Sequence, residues 1–182
     1  AKRKEIQPFS ADEARRIMRA AEGTHYHAAV VVGFLCGLRQ GELFGLKWRS
    51  VDFKKGLLHI TEQMVDISGH LSMQLPKTEK GARSIVLPQA AIDVLQKHLA
   101  ALKRTPEHDE LVFTAKKGGA VRKGVFRIYF WTPLLEKLGI DHRGAHHFRH
   151  TYATLSLGAG VAPHVVAQVL GHSKTSTTSD TY

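Results

Sequence analysis

Apolar residues recur with a helical period at both ends of this chain and with a period near two in its middle. Phe9, Ala14, Ile17, Met18 and Ala21 are spaced as on one face of a helix. Ser10 with Glu13 three residues on is the signature of a helix start, so a helix is predicted over 10–22. Residues 26–38 contain AAVVVGFLCGL, apolar nearly all round, which predicts a central helix buried on every side. Between 57 and 88 the pattern changes. LLHITEQM, HLSMQL and ARSIVL are rich in β-branched and apolar residues, are separated by DISG and KTEKG, and predict a three-stranded antiparallel sheet.

An amphipathic helix is predicted over 90–102, with Ile92, Leu95, Leu99 and Leu102 on one stripe. Residues 125–138 read as a helix broken or kinked at Pro133, its aromatics Phe126, Tyr129, Phe130 and Trp131 assigned to the core. Residues 144–157 form another helix, with Phe148, Tyr152 and Leu155 on an apolar stripe and His146 and Arg149 on a different face. Pro163 opens a short helix that ends at Leu170 and is capped by Gly171. The predicted fold class is α+β: mainly α with a small three-stranded antiparallel β-sheet.

At 182 residues the chain is long enough for one domain with a substantial core, or for two very small ones. Its charge changes the picture more than its length does. A formal +10 with a pI near 9.9 calls for an anionic partner, and nucleic acid is the usual one. The single cysteine, Cys36, excludes an intrachain disulfide and lies in an apolar run, as a buried, inert thiol does. The longest apolar run, 28–38, is 11 residues against the roughly 20 that span a bilayer. The opening AKRKE carries no secretory signal, so a soluble, cytoplasmic protein with no membrane partner is expected.

The chemistry-bearing residues gather in a few segments. Arg149 offers a planar, always-charged fork suited to two phosphate oxygens, and the histidines around it can donate to an oxyanion or move a proton near neutral pH. Tyr182 can act as a nucleophile once its phenolic proton is taken. Arg39 and Glu42 sit three apart, either as an ordinary surface ion pair or with Glu42 holding Arg39 in place. Lys77, on the connection between the last two predicted strands, is either simply solvated or carried by a hairpin into a groove. The basic loop KKGGAVRKG suits phosphate contacts, and His172 follows a helix C-terminus.

These segments resemble those of the tyrosine recombinases, or phage-integrase family. CGLRQGELFGLKW is similar to the family's first-arginine motif and places its catalytic arginine on Arg39. PKTEKGARSIVLP resembles the β-hairpin motif and places the catalytic lysine on Lys77. HHFRHTYAT resembles the His-x-x-Arg box, giving His146 and Arg149, and LGHSKTSTTSDTY resembles the closing motif, giving His172 and the nucleophile Tyr182. The motifs stand in the family's order across 37–182. His147 stands where an acidic residue is common, and Cys36 where a small hydroxylic one is.

The resemblance implies a site-specific recombinase or integrase that cleaves and rejoins double-stranded DNA through a 3′-phosphotyrosyl link, without metal, ATP or other cofactor. In that mechanism Tyr182 attacks, His146 is the candidate base, Lys77 is the general acid, Arg39, Arg149 and His172 stabilise the phosphate, and Glu42 supports Arg39. It also implies a homo-oligomer, a tetramer on recombining DNA and a monomer as an isolated domain, with accessory DNA-bending or excision factors and a bacterial or mobile-element origin. Family members usually carry an N-terminal helical domain and a segment beyond the tyrosine. Residues 1–182 are therefore expected to be a single catalytic domain lacking both.

Three rival readings share some of these features. His146 and His150 lie four apart, but the pattern lacks the glutamate of His-Glu-x-x-His and any carboxylate or cysteine cluster for a metal. A helix-turn-helix module would share the charge and the helices. A type IB topoisomerase would share the chemistry. Binding alone does not call for Arg39, Lys77, Arg149, His172 and Tyr182 together.

Overall fold

The computed structural model describes residues 7–76 and 81–171; Lys77, His172 and Tyr182 lie outside them. The first helix, α1 (Ala11–Ala20), starts as its sequence dictates. The Ser10 side chain accepts from the Glu13 N–H at 3.1 Å, and the Glu13 carboxylate accepts from the Ser10 N–H at 2.7 Å. Helix α2 (His27–Cys36) is the centre of the molecule, with eight of its ten residues buried. Burial pushes the Cys36 thiol up to about 12, so it stays protonated and inert. Against α2 pack α1, the short α3 (Gln40–Phe44), α4 (Gln89–Ala101) and α7 (His147–Gly158); α5 (Lys123–Phe126) and α6 (Thr132–Leu138) add to the same core, α6 against α1, and α8 (Pro163–Leu170) packs on α7.

The strands differ from expectation. A three-stranded antiparallel sheet is present, but its order is β1 (Val51–Asp52), β2 (Leu57–Ile60), β5 (Arg83–Val86). The other two strands, β3 (Gln63–Ile67) and β4 (His70–Gln74), form a separate hairpin. LLHITEQM is therefore two strands rather than one, broken at Thr61 and Glu62. Leu58 and Ile60 face the core, and the alternation would next send Glu62 inward. A bare carboxylate is not tolerated there. Glu62 instead accepts from Lys47 Nζ at 3.2 Å and Arg49 Nη2 at 2.7 Å, and the chain leaves the ladder. The β3–β4 turn is the DISG segment, with Ser68 and Gly69 both at positive φ, the geometry that suits a two-residue hairpin.

The break near Pro133 also has a definite form. Residues Arg127–Trp131 make a π-helical turn between α5 and α6. Pro133 has no N–H to give the Tyr129 carbonyl one turn back, and the backbone widens there instead of kinking. The widened turn drives Phe126 and Trp131 into the core, with Phe130 packed against it, but leaves Tyr129 76% exposed. Tyr129 is thus not a core residue.

An edge-on aromatic lattice seals α7 to the rest. Phe148 meets Phe34 at 4.6 Å and Trp131 at 4.9 Å between ring centroids, and Phe9 meets Phe34 at 5.7 Å. The beginning of the chain is fastened to the same region. The Phe9 N–H donates to Thr151 Oγ1 at 2.9 Å, and Arg143 grips the Glu13 carboxylate through two 2.9 Å bonds while reaching the Pro8 carbonyl at 3.1 Å. Among the described residues, no helix is long and apolar enough to cross a membrane.

Helix α2 passes so close to α7 that a Cβ added at Gly33 would lie 2.5 Å from Phe148 Cδ2. Gly33→Ala is therefore expected to cost about 1–3 kcal/mol despite alanine's better helix propensity. Urea unfolding would measure it, and unchanged stability would show that α7 can move aside.

Candidate active site

Helix α2 ends on Gly37 in the left-handed region, φ +59°. No other residue fits well there, since a Cβ would stand 2.7 Å from the Tyr152 ring and 3.0 Å from Leu170. The chain thus runs beneath α7 and α8, and two residues later Arg39 occupies the N-cap position of α3. Glu42, in the first turn of α3, is buried. Its carboxylate accepts four hydrogen bonds, two on each oxygen. Oε1 takes Arg39 Nη1 at 2.8 Å and Arg83 Nη1 at 2.9 Å; Oε2 takes the Arg39 backbone N–H and Arg83 Nη2, both at 2.9 Å. A carboxylate has about four such acceptor sites, so all are used.

Burial alone would raise the Glu42 pKa, but hydrogen bonds and charge from Arg83, then from Arg39, turn the shift downward and keep it ionised. Glu42 is therefore an anchor and not a surface ion pair. The Arg39 side chain remains 42% exposed, so its guanidinium keeps an open side beyond the Glu42 bond.

Sequence reasoning missed Arg83. Its signal was a lone arginine among apolar strand residues, with a glutamate inside the apolar run GELFGL as its match. Arg83 Nε also donates to the Val169 carbonyl at 2.5 Å, and Nη1 reaches the Gly81 carbonyl at 3.2 Å.

On α7, Arg149 lies on the buried face with Phe148 and Ala153, its Nη1 3.4 Å from the Gly37 carbonyl. His146 stands at the N-cap position and is exposed, so the two do not share one face as expected: the helix begins only at His147. His146 lines a cleft of about 530 Å³ with Gln40, Lys123, Arg127 and His142. The cleft brings together the neighbour of Arg39, the histidine of the His-x-x-Arg pair and the end of the basic KKGGAVRKG loop.

Three imidazoles crowd this helix start, with ring centroids 4.1 Å apart for His146–His147, 5.8 Å for His146–His150 and 5.6 Å for His147–His150. Partial desolvation by its neighbours lowers the pKa of His146, although the residue keeps an exposed side. Burial, then the neighbouring His146, lowers that of His147. For His150, burial and then His147, His146 and Arg149 bring it down to about 4. All three are neutral at pH 7, so His146 is able to take a proton. Tyr26 and Tyr152 have phenols raised by burial, opposite to what an activated nucleophile needs.

Lys77, His172 and Tyr182 fall outside the described residues, although both neighbouring ends are placed. Pro76 and Gly81 nearly touch, for a Cβ on Gly81 would lie 2.4 Å from Pro76 Cβ. Gly171, which precedes His172, caps α8 with φ +66°. Among the described residues no three His, Cys, Asp or Glu are placed to hold a metal ion.

Comparison with known proteins adds the family context. The phage integrase family model matches residues 7–182. A tyrosine recombinase XerC-like protein of Caldanaerobacter subterraneus subsp. tengcongensis is 31% identical over 203 residues, covering 98% of this chain and 50% of the relative. An integrase of Streptomyces ambofaciens is 32% identical over 184 residues, covering 93% of this chain and 47% of the relative. The chain thus spans about half the length of these relatives. Among solved structures, the Tn1549 transposon integrase in complex with a circular intermediate DNA has the same fold, with a TM-score of 0.85 at 21% identity over all of this chain and 62% of that one.

The histidine cluster sets a pH dependence. His150 in the folded protein titrates near 4, whereas the unfolded side chain titrates near 6.5. Between those values the unfolded state binds more protons, so stability is full above about pH 6.5 and falls as the pH drops toward 4. Thermal melts from pH 7.5 to 4.5 should show a falling midpoint, and His150→Asn should make the fall shallower. A level profile would mean that the cluster protonates in the fold without penalty.

Proposed function

The chain belongs to the phage integrase family, and from that premise we propose that it is the catalytic portion of a site-specific recombinase that cleaves and rejoins double-stranded DNA through Tyr182. One observation carries the reading: Arg39, clamped by a saturated buried carboxylate, and Arg149, bonded to the Gly37 carbonyl, are held near one stretch of chain, with a neutral His146 on an adjoining basic cleft. Two fixed guanidiniums suit the non-bridging oxygens of one phosphate.

A phenol with a pKa near 10 needs a base or a strong positive field to react at neutral pH. Tyr182 Oη attacks the scissile phosphorus as its proton passes to His146. The Oη–P bond forms, the bond from phosphorus to the 5′-oxygen breaks, and Lys77 gives the departing oxygen a proton. A 5′-hydroxyl from a second DNA end then reverses these steps, so the phosphoester energy is kept and no ATP is consumed. Arg39, Arg149 and His172 stabilise the charge that develops on the non-bridging oxygens; each such preorganised donor is worth on the order of 100- to 1,000-fold in rate.

The +10 charge suits a DNA partner, as does the likeness to an integrase seen in complex with DNA. Exchange between two duplexes needs several active sites, which fits a homo-oligomer, a tetramer on the recombining DNA, with accessory DNA-bending or excision factors setting direction.

Nicked suicide duplexes drawn from the ends of the parent genetic element, incubated in EDTA with the full-length protein, test this directly. Wild type should give a covalent protein–DNA band on a denaturing gel. Tyr182→Phe should bind the duplex and give none, and Arg149→Ala should slow the band by about 100- to 1,000-fold. A band from Tyr182→Phe at the wild-type level would remove Tyr182 as nucleophile, and loss of the wild-type band in EDTA would point to a metal. Binding should also weaken with salt, with a log–log slope of about −0.9 per phosphate neutralised. A flat salt response would argue against phosphate-led binding.

A further inference from the structure

Arg83 takes no part in the chemistry just described, yet its side chain is only 6% exposed and its guanidinium spends four hydrogen bonds on three elements. The Nη1 and Nη2 edge grips both oxygens of Glu42, the carboxylate that clamps Arg39. Nη1 also reaches the Gly81 carbonyl, at the foot of the segment that carries Lys77. Nε meets the Val169 carbonyl in the last turn of α8, where carbonyls have no partner within the helix and a cation is favoured. His172 follows two residues beyond that helix.

Three separate supports of the candidate site thus converge on one planar group. Lysine could not replace it: an ammonium is a single point of charge and cannot span two carboxylate oxygens and a carbonyl on another element. The Arg83 and Glu42 side chains are both buried, so solvent would not replace the lost bonds freely.

We propose that Arg83 is a positioning residue for strand cleavage, holding Arg39, the foot of the Lys77 segment and the end of α8 ahead of His172 in one frame. It rests on the recombinase reading above and touches neither DNA nor the nucleophile itself. Its loss lowers the cleavage rate, not the affinity for DNA.

Single-turnover cleavage of a suicide duplex by the full-length protein at saturating DNA reads this out, alongside duplex affinity and thermal midpoint. Arg83→Lys should cleave about 100-fold more slowly, the scale expected for a misplaced catalytic group, with DNA affinity unchanged. On an Arg39→Ala background the same change should cost far less, because its principal client is already gone. Wild-type cleavage by Arg83→Lys, or an undiminished loss on the Arg39→Ala background, would overturn the proposal. If Arg83→Lys does not fold, the pair Glu42→Leu with Arg83→Met leaves no buried charge unpaired and should fold, bind DNA and cleave slowly. Wild-type cleavage by that pair would also overturn it. The recombinase reading fails separately, if Arg39→Ala and Tyr182→Phe both cleave normally.

Discussion

A buried carboxylate must find its partners inside the protein, and Glu42 finds them in two arginines from different parts of the chain. Removing one partner of such an arrangement leaves a buried charge uncompensated, whereas the complete set is self-consistent. The five-residue helix α3 is far too short to be stable by itself, so its placement depends on this contact and on the packing around it. Glu42 also sets the charge balance. It offsets the repulsion between Arg39 and Arg83 and leaves a net positive group facing the open side, where an anion is welcome.

The aromatic lattice does for α7 what Glu42 does for α3. Phe9 and Phe34 come from early in the chain and Trp131 and Phe148 from late in it, and their edge-on contacts fix how far α7 can shift. Arg149 rides on this rigid face, whereas His146 sits at the helix mouth where the chain is open to a cleft. A cation fixed on the buried face and an imidazole at the open helix mouth thus sit three residues apart in quite different surroundings.

Local signals carried most of the architecture. The Ser10–Glu13 box, the all-apolar α2 and the Gly171 cap were legible because each depends on residues within one or two turns. Arg39 and Arg149 stood out only through motif resemblance. What was hidden depends on distant partners. LLHITEQM alternates well enough for one strand, and only the ion pairs of Glu62 with Lys47 and Arg49, 13 to 15 residues back, break it in two. Arg83 and Glu42 are 41 positions apart, so neither marks the other in the sequence. The π turn follows from Pro133, but that it widens the helix and leaves Tyr129 outside is a property of the folded backbone.

The bonds that join Phe9 to Thr151 and Glu13 to Arg143 span 142 and 130 positions. On the ribosome, α1 and α2 emerge long before their partners, so this part of the core stays open until the His-x-x-Arg helix has left the exit tunnel. At roughly 5–20 residues per second that interval is several seconds or more. A nascent chain in that interval has Arg39 but lacks Arg149, which in the finished fold meets the Gly37 carbonyl two residues before it. Closure of the fold and the seating of Arg149 on the Gly37 carbonyl are therefore one event in biosynthesis.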